Sequence, residues 1–171
     1  SQVLKYWSHP NQFNYNYSIM PNFVGNVEVQ KMMRDVGEEV DMDYGCSGSS
    51  ASMYEADEAF TDAFDFSTSL YDGFNSYWLE QDLNAHRPAI LDGCRTRTNR
   101  FLGWIYTYSN CHAWVCDGYW KTWNNCYAIE SLLHMNWGWD GSFNGWYAYN
   151  NWNPGTRNYQ YWHHFIHNLK P

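Results

Sequence analysis

The sequence is poor in charge, and poorest in positive charge. Only 16% of its 171 residues are charged, and ten basic residues stand against eighteen acidic ones for a net charge of −8. No basic run exists, which excludes a nucleic-acid partner, because phosphate backbones demand clustered Lys and Arg. No apolar stretch approaches the ~20 residues of a membrane span. The sequence holds no CxxC pair and no HExxH, and its Trp-Gly-Trp-Asp-Gly-Ser lacks the Lys and spacing of a phosphate-binding loop. His163, His164 and His167 have metal-like spacing, but they fall in a strand-like segment, and zinc needs three or four converging ligands. Asp41 and Asp43 lack the further spaced oxygen ligands of a calcium loop. No metal and no cofactor is expected. An initiator Met and a signal peptide are also missing. Ser1-Gln2-Val3-Leu4-Lys5-Tyr6-Trp7 reads as the inside of a helix, so the chain is expected to be a processed or truncated piece of something longer.

Five cysteines, Cys46, Cys94, Cys111, Cys116 and Cys126, exclude a full disulfide framework by their odd number. One bridge involving Cys111 or Cys126 stays open beside the reading of mostly free, partly buried thiols. What abounds is aromatic: 20% of the chain, with 11 Trp and 15 Tyr. Such rings suit an extracellular surface or a core, and composition does not choose between them.

The pattern along the chain gives helices first and strands later. Gln2 to Trp7 is a helix tail stopped by Ser8-His9-Pro10. Val29, Met32, Met33, Val36 and Val40 recur at helical intervals over Asn26 to Val40, an amphipathic helix with its stripe in the core. Asp41 to Ser50 is a Ser/Gly loop. Ser52-Met53-Tyr54-Glu55 has the capping-box pattern and opens a helix toward Phe64. Asp65 to Gly73 is strand-like, and a second helix covers Tyr77 to Ala85. Pro88 to Gly93 is a short strand followed by a turn, Arg95 to Arg100 a solvated hairpin or loop, and Phe101 to Tyr108 again strand-like. Tyr161 to Leu169 is the last strand. With no repeat, low-complexity segment or visible boundary, residues 1–171 are expected to form one α+β domain with an antiparallel sheet.

The chemistry gathers between Cys111 and Tyr147. His112 opens an alternating run with Trp114 and Cys116 on its face, the period of a half-buried strand. His134, Asn136 and Gly138 alternate with Met135, Trp137 and Trp139, and Asp140-Gly141-Ser142 turns into another aromatic strand. Neighbouring strands would set the His112 imidazole beside the Asn136 amide, half of a cysteine-protease site. On residues alone, a satisfied strand-end histidine over core tryptophans is the better fit.

HAWVCDGY followed by HMNWGWDG resembles the C-terminal signature of the streptopain family, secreted bacterial cysteine peptidases with a papain-like fold. QVLKYWSHP, KMMRDVGEEVDMDYGCSGSSAS and PAILDG stand in the family's order, so the resemblance covers most of the chain. It implies a papain-like fold, a helical part packed on a C-terminal antiparallel sheet, and hydrolysis of extended protein or peptide substrates. His112 would be the base and Asn136 its orienter, with Trp137 and Trp139 shielding their hydrogen bond. Ser47, Gly48, Ser49 and Ser50 would line the substrate cleft. Cys111 stands where relatives commonly carry Gly, which would narrow that cleft. The nucleophilic cysteine is expected on the helix that continues into QVLKYW, shortly before Ser1, so this chain begins within the nucleophile helix and lacks it. A propeptide or an upstream fragment carrying the nucleophile would then be a partner.

None of the five cysteines replaces that nucleophile. Cys111 points to the face opposite its neighbour His112, and Cys116 lies roughly 13 Å along the strand. Cys46, in the loop, is the least remote but is also expected to be a bystander. Two other functions remain in view: a non-catalytic relative that binds peptide or protein, and a carbohydrate-binding module that stacks sugars on exposed rings. An exposed flat row of rings would favour sugar, and a cleft beside His112 would favour peptide.

Overall fold

The computed structural model describes residues 1–46 and 48–171. Among the described residues, four α-helices and eight strands follow one another in an α+β order. The chain divides into two compact units, Tyr71–His167 and a first unit made of Ser1–Leu70 with Asn168–Pro171.

The first unit holds helices α1 (Gln2–Trp7), α2 (Val27–Glu39) and α3 (Met53–Asp62). Each starts or stops for a local reason. α1 ends at Ser8, which takes the left-handed conformation at φ 51°. Asn26 caps α2, its Oδ1 accepting from the Val29 N–H at 3.0 Å. The capping box expected at α3 is formed. Ser52 Oγ accepts from the Glu55 N–H at 3.1 Å, and Glu55 accepts from the Ser52 N–H at 2.7 Å. In α2 the inward stripe is narrower than the spacing suggests. Met32 and Val40 are buried, but Met33 is 52% exposed. Asp35 takes an inward position instead, accepting from the Tyr15 hydroxyl at 3.0 Å. The unit's core is Val3, Leu4, Met20, Met32, Phe60, Phe64 and Phe66.

The Ser/Gly stretch is a short hairpin rather than a plain loop. β1 (Asp43–Gly45) and β2 (Gly48–Ser50) pair antiparallel, with Tyr44 opposite Ser49. Ser47, expected to line the cleft, lies outside the described residues. Gly48, Ser49 and Ser50 are exposed.

After β3 (Ser67–Asp72), helix α4 (Ser76–Asn84) is capped by Asn75, whose Oδ1 accepts from the Trp78 N–H at 3.1 Å. The remaining strands are β4 (Ala89–Phe101), β5 (Ile105–Asn124), β6 (Tyr127–Asn136), β7 (Gly145–Ala148) and β8 (His164–Lys170). The six-stranded sheet runs in the order β3-β8-β4-β5-β6-β7. The short strand and turn expected at Pro88 to Gly93 are corrected: β4 continues through Arg95–Arg100 to Phe101, paired throughout with β5. Nothing in Thr96-Arg97-Thr98-Asn99 breaks a strand, so the turn falls at Leu102 and Gly103, with φ of 42° and 82°.

The second unit's core lies on the β4–β5–β6 face that carries Leu91, Trp114, Cys116, Leu133, Met135 and Trp137. Trp152, Tyr159, Phe165 and Leu79 pack over it. Large rings dominate, each removing roughly 150–250 Å² from water.

Candidate active site

Strand register places the site. Leu91 pairs with Trp114 and Gly93 with His112, so His112 stands at the end of the buried stripe of β5. Gly93 is required by close approach. A Cβ there would sit 2.9 Å from the His163 ring and 3.0 Å from the Tyr159 carbonyl. Beside β5, Cys116 pairs with Met135 and Val115 with Asn136. Paired residues share a face and neighbours alternate. Met135 and Trp137 therefore belong to the face of His112, and Asn136 to that of Val115.

His112 is half-buried. Its Nε2 lies 2.8 Å from the main-chain carbonyl of Trp137. A carbonyl only accepts, so Nε2 carries the proton of the neutral ring and Nδ1 is the basic nitrogen. The Trp139 indole stacks on the imidazole at 4.7 Å and 30°. Tyr159 lies 5.8 Å away and Trp137 6.4 Å. Burial holds the His112 pKa below the usual histidine range. The Trp137 carbonyl pulls it up, and the nearby Arg157 charge pushes it down further.

The Trp137 carbonyl meets the His112 ring, and Asn136 meets the other end of the same peptide group. Asn136 Oδ1 accepts from the Gly138 N–H at 3.2 Å, the N–H of the same peptide group whose carbonyl faces His112. The peptide is bonded at both ends, an arrangement in which each hydrogen bond polarises the other. Asn144 Oδ1 accepts from the Trp137 N–H at 3.0 Å and fixes the segment from its other side. The Trp137 ring is fully buried, 4.5 Å from Trp114.

Of the residues expected in the site, the structure brings His112, Trp137 and Trp139 together, with Asn136 behind the Trp137 carbonyl. Cys111 is not a free thiol, and the one bridge left open does involve it. It is bridged to Cys94, its partner in the β4–β5 ladder. Cys46, Cys116 and Cys126 are free. Burial pushes the Cys116 thiol far up, so it is no nucleophile. The aromatic rings nearest His112 pack on it rather than forming an exposed row. The three C-terminal histidines go to separate partners: His163 to the Tyr159 carbonyl, His164 to Asp92, and His167 to stacking with Trp78 and Phe165.

Sequence reasoning missed Asn144, Arg157 and Cys94. Arg157 lies 4.8 Å over the Trp139 ring, on which His112 also stacks. The Cys94 signal was present, since Cys94 and Cys111 stand nearly equidistant from Gly103. Arg157 lies in a turn-rich stretch and leaves no comparable trace.

Comparison with known proteins agrees with this architecture. The model of the Peptidase C10 family matches residues 11–147. Streptopain of Streptococcus pyogenes is 30% identical over 166 residues, covering 88% of this chain and 38% of that protein. The thiol protease/hemagglutinin PrtT of Porphyromonas gingivalis is 29% identical over 160 residues, covering 83% of this chain and 16% of that protein. This chain therefore spans well under half the length of these relatives. The solved structure of active wild-type interpain A cysteine protease from Prevotella intermedia superposes with a TM-score of 0.70 at 20% identity. It covers 96% of this chain and 78% of that one, which establishes the papain-like fold.

Proposed function

The chain belongs to the peptidase C10 family, and from that membership we propose that it supplies the base-bearing part of a cysteine endopeptidase acting on extended protein substrates. The observation that carries the reading is the hydrogen bond of 2.8 Å between His112 Nε2 and the Trp137 carbonyl. It fixes the tautomer and leaves Nδ1 as the acceptor a thiol needs. The thiol itself would come from the sequence preceding Ser1.

In this mechanism Nδ1 takes the thiol proton, giving a thiolate–imidazolium pair. The thiolate attacks the substrate carbonyl carbon, and backbone N–H groups at the nucleophile helix stabilise the oxyanion. Collapse of the tetrahedral intermediate breaks the C–N bond as imidazolium gives its proton to the leaving amine. Water, deprotonated by Nδ1, then attacks the thioester, and the thiol is restored as the acid leaves. Asn136 and Asn144 hold the main chain that holds the base. Trp139 covers the imidazole and keeps water from the hydrogen bond. Ser47, Gly48, Ser49 and Ser50 are the proposed substrate-lining residues. Cys111 and Trp139 contribute to the cleft beside His112.

The protein is proposed to work outside the cytoplasm. The Cys94–Cys111 bridge supports this, since such bonds persist in oxidising compartments. Among the described residues no helix is long and apolar enough to cross a membrane.

The test is cleavage of an unfolded protein by this chain and by a form extended upstream through the nucleophile. The expected result is cleavage by the extended form alone, abolished by a thiol alkylator. If both folded forms are inert, the fold serves as a non-catalytic peptide binder instead.

A further inference from the structure

Beyond Cys94 and Cys111 the β4–β5 pair leaves the sheet and continues as a two-stranded arm, residues 95–110, with most of its residues exposed. Isolated two-stranded ribbons are marginal in water, so an arm of this length needs bracing. It has several braces. The Cys94–Cys111 bridge staples its root. Arg97 lies between the rings of Tyr106 and Tyr161, 4.8 and 4.9 Å from their centroids. Tyr108 stacks on Trp162 at 5.2 Å.

The arm is built to stand out, and what it carries at its end is apolar. Leu102 and Trp104 are 83% and 84% exposed, with Phe101 and Ile105 above half. Behind the tip come Arg100, Arg97 and Arg95, with no acidic residue anywhere from Gly93 to Cys116, in a chain whose net charge is −8. Arg100 lies roughly 20 Å from the disulfide at ordinary strand rise. That is more than twice the ~8 Å Debye length of physiological salt, so the acidic body does not cancel its charge.

We propose that this hairpin is an anchor for an anionic lipid surface. Phe101, Leu102, Trp104 and Ile105 enter the interfacial region, and Arg100 meets the phosphates behind them. A bilayer accepts an apolar point with a cationic collar, whereas a protein partner would have to present a matching pocket. Aromatic and aliphatic side chains with nearby Arg are the composition that lies in membrane interfaces. Other exposed apolar positions lack the collar. Phe23 and Val24 are followed by Glu28, and the β5–β6 tip is followed by Glu130. The proposal is independent of the peptidase reading.

The experiment is co-sedimentation of this chain with phosphatidylglycerol vesicles and, in parallel, phosphatidylcholine vesicles at 0.15 M salt. Binding to the first and not the second is expected. The exposed double variant L102S/W104S should weaken binding about tenfold or more, from the apolar surface it no longer buries. R100Q should weaken it about fivefold, the worth of one Arg at an anionic surface. Near-UV circular dichroism checks that each variant is folded. Quenching of Trp fluorescence by lipids brominated in their acyl chains should fall in W104F. Absence of sedimentation with phosphatidylglycerol would overturn the proposal. So would equal binding to both lipids, or binding that L102S/W104S leaves unchanged.

Discussion

From Ala89 to Cys94, strand β4 is buried at nearly every position, whereas from Arg95 to Phe101 it is exposed at nearly every position. The partner strand β5 runs beside it along the whole length, and the register is unbroken until the last rows at the tip. The backbone conformation is thus the same in both halves. What differs is the neighbourhood. The inner half has β8 on one side, β6 beyond β5, and aromatic rings stacked over its face. The outer half has water and two bracing rings, Tyr161 and Trp162. Hydrogen bonding between strands makes the ribbon, and packing against further layers makes it rigid enough to hold an imidazole in one orientation. The disulfide marks the border between the two regimes, and His112 is the first residue of β5 on the packed side of it.

This contrast is broken most severely from the inside. Trp137→Ala empties the centre of the aromatic cluster and should cost about 3–5 kcal/mol, while Trp104→Ala at the tip should stay within about 0.5 kcal/mol. Urea denaturation of the two variants checks the difference. Opening the border comes next. Replacing Cys94 and Cys111 by Ala releases a loop of intermediate length and should cost about 2–4 kcal/mol. Hydrogen exchange should then accelerate in residues 95–110 before it does in residues 112–116.

Asn144→Ala sharpens the comparison further. It leaves the buried Trp137 N–H without its acceptor, at a cost of about 1–3 kcal/mol. The His112 ring should become more mobile, visible as broadening of its NMR signals, with the arm unaffected.

The smallest effect is set by pH. Burial keeps the folded-state pKa of His112 below its unfolded value of 6.5, so between the two the unfolded chain binds more protons. His112 therefore contributes a loss of stability as pH falls through that window, and a recovery as it rises back above 6.5. Urea midpoints at pH 5 and pH 7 should show a difference that shrinks in His112→Asn.

Much of this arrangement was legible from side-chain pattern. The alternation of His112, Trp114 and Cys116 predicts one face of β5, and these residues do lie on it; the register then brings Met135 to that face, where the sequence alone had set Asn136 beside His112. The capping box at Ser52 and Glu55 was equally plain, because the motif is local. The contact between the His112 ring and the Trp137 carbonyl was not legible, since a main-chain carbonyl has no residue type of its own. The length of β4 was also hidden. Arg95 to Arg100 read as a solvated hairpin or loop, and it is the hairpin that forms, because a ribbon exposed on both faces accepts these charges without penalty. Gly48, Ser49 and Ser50 were assigned to the cleft by resemblance alone, and the hairpin they form makes no local statement about substrate.

The central claim is that His112, held by the Trp137 carbonyl, is the partner of a thiol that precedes Ser1. The pH dependence of thiol alkylation in the upstream-extended protein tests it directly. An imidazolium neighbour should keep the nucleophile thiolate well below the ordinary thiol pKa of about 8.5, and His112→Asn should move the profile back toward that value. The same profile in both proteins would contradict the account.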